Sequence, residues 1–225
     1  MKEERGSKLQ MQRISNNANK HILEEALGQQ LDVLCPINFK EFQLNGKKMS
    51  EALGIPPTYF KGFWPQRQPQ WDGIVIGAKD KTLYLIEAKA HLSEIATGNN
   101  EPEVTNVKKK ENFELKKKTL LEEKAYYGSN VDSSIWIHKY YQITNRLAFL
   151  RKLRSLSSTI GAFHDVKLVF LNFYNDPYWE SKNKNVKEVD WNNKFHRIWE
   201  DLGIPENSIT SNNVIVLCVD VNRLF

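Results

Sequence analysis

Cysteine is scarce: Cys35 and Cys218 are the only two in 225 residues, far apart and without a C-x-x-C pair. That excludes a disulfide framework and points to a reducing compartment, with the cytoplasm as the expected location. Long apolar runs are missing too, and nothing approaches the ~20 residues that a membrane-spanning helix needs. The opening residues, MKEERGSKLQMQRISNN, carry charge but no apolar segment, so no secretory leader is expected. No G-x-x-x-x-G-K-[ST] loop occurs, since GKKM at 46–49 lacks the upstream glycine, and there is no H-E-x-x-H. The five histidines, at 21, 91, 138, 164 and 196, do not fall at zinc-ligand spacings. P-loop and zinc-hydrolase chemistry are thereby set aside.

What is present is a globular composition. Hydrophobic residues make up 40% and charged residues 26%, enough for one buried core beneath a solvated surface. The length suits a single compact domain. Net charge is +5, and it is concentrated: VKKKENFELKKKTLLEEK at 107–124 holds two triple-lysine blocks. Such a run is most often a solvated helix face. It can also neutralise phosphates, so its meaning depends on whether nucleic-acid chemistry sits elsewhere in the chain.

Residues 1–17 are polar, lack periodicity and are expected to form a flexible N-terminus. From Ala18 to Leu34 the apolar positions Ile22, Leu23, Ala26, Leu27, Leu31 and Leu34 recur at helical spacing, ahead of Pro36. Residues 38–69 carry turn signals and read as loops with short elements. Two strand-like runs follow, DGIVIGA at 72–78 and TLYLIEAKA at 82–90, joined by the turn-prone KDK as a hairpin. A polar segment leads into the lysine-rich helix. An amphipathic helix is expected over 134–156, with Ile135, Tyr141, Leu147, Leu150 and Leu153 apolar. Two further strands, at 166–174 and 213–221, bracket the helix WNNKFHRIWEDLG, which Gly203 closes. Cys218, inside the second of them, is expected in the core. The fold class is α/β: a central mixed sheet flanked by helices, in one domain over 18–225.

Chemistry is suggested where charge interrupts the hairpin. Strand residues alternate faces, so Leu83, Leu85, Glu87 and Lys89 share one side, as do Asp72, Ile74 and Ile76. A turn centred on Lys79 and Asp80 puts Asp72 opposite Glu87 or Ala88, with facing Cβ atoms about 4.5–5.5 Å apart. Charges at the end of buried strands must be paired, hold a metal or line a cleft. Asp72, Glu87, the Ala88 carbonyl and waters would make an oxygen-rich site suited to Mg²⁺ or Mn²⁺. Lys89 beside such an ion would serve the attacking water in phosphodiester hydrolysis. A plain salt bridge between Glu87 and Lys89 is the competing reading, since E-x-K triplets are common.

WDGIVIG followed by LYLIEAKA resembles the core of the PD-(D/E)XK nucleases, the restriction endonuclease-like superfamily. The resemblance implies that Asp72 and Glu87 ligate the metal and that Lys89 acts on water or stabilises charge. It departs from the pattern in having Trp71, not proline, before Asp72. Many members add a glutamate from the first helix. Here HILEEALGQQL offers Glu24, at the edge of the apolar face, in preference to Glu25. Some branches also carry a glutamine on a helix after the triplet. KYYQITNRLAFLRKL is similar to that helix, with Gln142 carried over and Asn145 and Arg146 on the same face, to touch the scissile phosphate or to order Glu87 and Lys89.

The stretch from Lys89 to Gln142 is longer than a minimal fold needs, so residues 93–130 are expected to be a lysine-rich helical insertion beside the cleft. Lys108, Lys109, Lys110, Lys116, Lys117 and Lys118, with Arg146, then become candidate nucleic-acid contacts, and Tyr126 and Tyr127 candidates for base stacking. The expectation is an enzyme: a Mg²⁺-dependent nuclease acting on DNA, without a membrane partner and compatible with a homodimer. The alternative is a nucleic-acid-binding module on the same fold that does not cut.

Overall fold

The computed structural model describes residues 5–95 and 106–225. The first helix, α1 (Ser7–Ile14), falls where the sequence suggested a fraying segment. It has few apolar residues, but Met11 and Ile14 are one helical turn apart and both are buried. Gln10, also buried, donates to Asp176 Oδ2 at 2.9 Å, which tethers the helix across the fold. Next comes α2 (Lys20–Leu27), which stops at Gly28 in the left-handed conformation, φ 73°. The helix expected to run on to Leu34 is therefore two elements. Leu31 sits at a helical spacing from Leu27, but past the glycine it opens β1 (Leu31–Cys35), an edge strand.

A short helix, α3 (Lys47–Leu53), lies in the region expected as loops with short elements. The hairpin follows as β2 (Gly73–Gly77) and β3 (Thr82–Lys89). Its turn is closed by Lys81 N–H donating to Gly77 O at 3.1 Å. The lysine-rich helix is α4 (Val107–Tyr126), capped by the Asn106 side chain, which accepts from Lys109 N–H at 2.9 Å. Residues 96–105 of the expected insertion lie outside the described residues. A π-helical turn (Ile135–Lys139) leads into α5 (Tyr141–Arg154). The remaining elements are β4 (Asp165–Tyr174), α6 (Pro177–Glu180), α7 (Glu188–Leu202), α8 (Glu206–Ser211) and β5 (Val214–Asp220). As expected, Gly203 ends α7, at φ 64°.

Among the described residues these strands form one five-stranded mixed sheet in the order β1-β2-β3-β4-β5. The first three are antiparallel neighbours, while β3–β4 and β4–β5 run parallel. Parallel neighbours need crossovers, supplied by α4 with α5 and then by α7 with α8. One face of the sheet packs Ile74, Leu83, Leu85, Leu168 and Phe170 against α5 and α7. The other packs Val75, Tyr84, Ile86, Val169 and Leu171 against α1, α2 and the C-terminal turn. β3, with strands on both edges and helices on both faces, is buried at every position. Cys218 is only partly buried, because β5 is an edge strand.

The helix expected to be amphipathic is more deeply placed. Every α5 residue from Ile143 to Leu150 is buried, Thr144, Asn145 and Arg146 included. A helix buried all round is an internal one. It lies between the sheet and α4, whose inward positions are Phe113, Leu120 and Glu123. Among the described residues no helix is long and apolar enough to cross a membrane.

Candidate active site and its flanking cleft

The hairpin register sets the site. The β2–β3 ladder pairs Gly73 with Ile86 and Ile76 with Leu83, so one step beyond its end Asp72 stands across from Glu87. Gly73 permits this close pairing: a Cβ there would stand 2.5 Å from Met11 Cε and 3.0 Å from Ile86 Cβ. Past the last ladder pair, Ala88 N–H turns to the Asp72 side chain and donates to Oδ2 at 2.8 Å. A strand residue presents its N–H and C=O to the same neighbour, so the Ala88 carbonyl lies along that same edge of β3.

Glu87 is buried and heavily engaged. Its Oε1 accepts from Lys89 Nζ at 2.5 Å and from Gln142 Nε2 at 2.5 Å. Its Oε2 takes Arg146 Nε at 2.7 Å and Nη2 at 2.6 Å. Arg146 is fixed in turn: Nη2 donates to Gln70 O at 2.7 Å, Nη1 to Asn145 Oδ1 at 3.0 Å, and the guanidinium lies 4.4 Å from the Trp71 ring centroid. Four of the five N–H groups of this arginine are therefore held by protein. Gln142 and Arg146 both bond to Glu87, the contact that would order it.

The electrostatics follow from burial and pairing. Burial opposes charge on Glu87, but Arg146 and Lys89 hold its carboxyl below the usual range. Burial likewise opposes charge on Lys89, and Glu87 and Asp72 more than offset it, keeping the ammonium charged to higher pH than usual. Asp72 keeps a little open surface, yet the surrounding protein and then the Glu87 charge push its carboxyl up to about 8. Half-buried Glu41 is raised by burial, and it feels the charges of Glu87, Lys89 and Arg146. At neutral pH the core of the site therefore carries Glu87 negative, Lys89 and Arg146 positive, and Asp72 mostly protonated. Those charged forms leave the core of the site with a net positive charge.

The other candidates divide. Glu24 does not join this group: its Oε1 accepts from Leu31 N–H at 2.9 Å and pairs with Lys20 at 3.0 Å, where it ties α2 to the start of β1. Two other carboxylates act on the cluster: Glu94 on Lys89, and on Asp72 Glu41, from an irregular segment bridged to the hairpin through Phe42 and Trp71. No periodic signal marks Glu41; only its place just ahead of an aromatic in a turn-rich stretch sets it apart. Among the described residues no three His, Cys, Asp or Glu side chains converge to hold one metal ion. Mg²⁺ takes one or two carboxylates and keeps several waters. The pair Asp72 and Glu87 beside the Ala88 backbone therefore fits such an ion, provided that Glu87 yields some of its present partners.

The lysine run also divides. Lys108, Lys109 and Lys110 are exposed on the first turn of α4. Lys117 and Lys118 line a hollow shared with Glu114 and Glu122, and Lys118 approaches Glu122 at 3.9 Å. Lys116 points the other way, because it shares its face with inward Phe113 and Leu120. It lines a cleft of about 410 Å³ with Trp64, Arg67, Gln68, Gln142 and Arg146. Two of these residues, Gln142 and Arg146, also hold Glu87, so the cleft and the charged cluster share a wall. Tyr126 and Tyr127 border a different hollow, beside Arg151 and Arg154.

No family model, no curated protein and no solved structure matches the chain.

Proposed function

We propose that this chain is a metal-dependent nuclease that hydrolyses phosphodiester bonds, with DNA as the substrate. One observation carries the reading: Asp72 and Glu87, from adjacent chain segments, stand across from each other at the end of a buried hairpin together with Lys89, and the cluster shares Gln142 and Arg146 with a cationic cleft. Its likeness to the PD-(D/E)XK arrangement gives the roles. A divalent cation held by Asp72 and Glu87 would polarise the phosphoryl oxygen and lower the pKa of a bound water.

The chain's own residues do the rest. Lys89, held as an ammonium by Glu87, would be a charge stabiliser and hydrogen-bond donor rather than a base: as the water oxygen bonds to phosphorus, its proton passing to solvent, and the P–O bond to the leaving strand breaks, Lys89 would offset the charge on the phosphoryl oxygens. Gln142 and Arg146 fix the Glu87 carboxylate in one orientation. Preorganised donors of this kind avoid reorganisation in the transition state. Asp72, with its raised carboxyl, loses its proton when a cation arrives, which ties ionisation of the site to metal loading.

The test is cleavage of supercoiled plasmid and of labelled single-stranded DNA with Mg²⁺, Mn²⁺ or EDTA, comparing wild type with Asp72→Ala and Lys89→Ala. Cutting that needs metal and is lost in both variants is the expected result. A second reading draws on the four donor contacts that saturate Glu87: a nucleic-acid-binding module that does not cut. DNA binding without cleavage, and no Mn²⁺ uptake by calorimetry, would favour that reading and overturn the first.

A further inference from the structure

The flanking cleft holds an arrangement that the hydrolytic cluster does not use. Arg67, from the loop ahead of β2, and Lys116, from α4, face the same space. Among the described residues neither meets a carboxylate, and Lys116 has only the Tyr141 ring, 5.5 Å from its Nζ to the centroid. Between them stands Gln68, 4% exposed, whose Oε1 accepts from Asn45 N–H at 3.2 Å while its Nε2 finds no acceptor. A buried donor left unpaired has lost its water without gaining a partner, a net cost to the fold. Two like charges confined to a half-enclosed space repel, and burial together with Arg67 lowers the Lys116 pKa. All three groups are donors, and all three lack the same thing, an anionic acceptor.

We propose that Arg67, Gln68 and Lys116 form a seat for a backbone phosphodiester of the nucleic-acid strand, next to the phosphate at the Asp72–Glu87 cluster. The cleft is large enough, at about 410 Å³, to take one nucleotide unit, within the ordinary range of ligand sites. Gln142 and Arg146 stand in its wall and also bond to Glu87, so a strand lying there passes beside the cluster. Arg146 stays outside the seat, since four of its five N–H groups are already engaged by Glu87, Asn145 and Gln70. The exposed lysines 108–110 stand on another part of α4 and add only diffuse attraction. This proposal rests on the chain binding nucleic acid, and it assigns the contact to one lysine of the six.

The experiment measures binding of a fluorescein-labelled single-stranded DNA by anisotropy, in EDTA, across about 50–200 mM KCl. The full chain is compared with Arg67→Gln, Lys116→Gln, their double variant, Lys116→Arg, and a triple Lys108/Lys109/Lys110→Gln control. The double variant is expected to bind at least about tenfold more weakly, with the salt slope reduced by about one for each cation removed. Lys116→Arg should retain most of the affinity, which separates charge from folding. If the double variant binds like wild type while the triple control loses affinity and slope, the seat is wrong and the strand lies on the exposed face of α4. Plasmid cleavage by wild type is run in parallel. Absence of cutting with the cleft effect intact removes the nuclease reading alone, and cutting with no cleft effect removes the seat alone. No DNA binding by wild type overturns both.

Discussion

Arg146 and Glu87 meet inside the protein through a single carboxylate oxygen, with Nε and Nη2 of the arginine at 2.7 and 2.6 Å from Oε2. Both side chains are almost wholly buried, 4% and 1% exposed. A pair of this kind is worth little against an apolar replacement, but losing one partner strands the other. Arg146→Met is therefore expected to destabilise the fold by about 3–5 kcal/mol in urea denaturation. Glu87→Gln together with Arg146→Met should recover much of that loss. Strictly additive losses in the double-mutant cycle would show that the two do not depend on each other.

Gln142 donates to the other oxygen of Glu87. Gln142→Ala should lower cleavage about 10–100-fold, as removal of a partner that orients a metal ligand does. The melting temperature should change little, and most of the effect should lie in kcat. An unchanged kcat would place Gln142 outside the machinery.

The approach of α1 to the hairpin is set by Gly73, where an added methyl group would press on Met11 Cε and Ile86 Cβ. Gly73→Ala should cost about 1–3 kcal/mol by overpacking. Combined with Met11→Ala it should cost less than the sum of the two single changes, because the truncated side chain vacates the space. A sum that is additive to within experimental error would mean that Ile86, not Met11, sets the limit.

Glu123 gives the fold a pH dependence away from the site. It is fully buried in α4, Arg151 Nε lies 2.5 Å from Oε2, and Oε1 has no partner. Burial outweighs the partly exposed arginine and lifts the carboxyl from 4.5 to about 7. The folded state thus binds this proton more tightly than the unfolded state. Its contribution to stability is complete below about pH 4.5 and declines as pH rises to about 7, by roughly 3 kcal/mol. Glu123→Gln should abolish that slope and leave the variant more stable than wild type at pH 8. Parallel stability curves for the two proteins between pH 4.5 and 8 would contradict it.

How much of this was legible in the sequence varies with the element. The hairpin is, because alternation fixes faces and a short turn limits the register, which sets Asp72 opposite Glu87 or Ala88 from the sequence alone. The strand β1 was hidden, since Leu31 and Leu34 continue the helical phase of Leu27, and only Gly28 marks the break. The helix α1 was missed because its anchors are two apolar residues and a buried glutamine whose partner, Asp176, lies far along the chain. Glu24 was favoured on helical phase, which cannot reveal that the next strand would claim its carboxylate. Glu41 sits in irregular backbone, where periodicity carries no information. Arg146 was placed beside Gln142 by spacing alone, but that its arms close on Glu87, Gln70 and Asn145 is a fact of packing.

Gln142 and Arg146 are shared property: the same two side chains hold Glu87 and wall the cleft. Thermodynamic reciprocity then applies to the pair of positions. Any occupant of the cleft that draws on either side chain changes the affinity of the carboxylates for a cation by some factor, and a cation at the carboxylates changes the affinity of the cleft by that same factor. On the proposed function, the ratio of metal affinities with and without DNA should equal the ratio of DNA affinities with and without metal, two routes to one coupling constant.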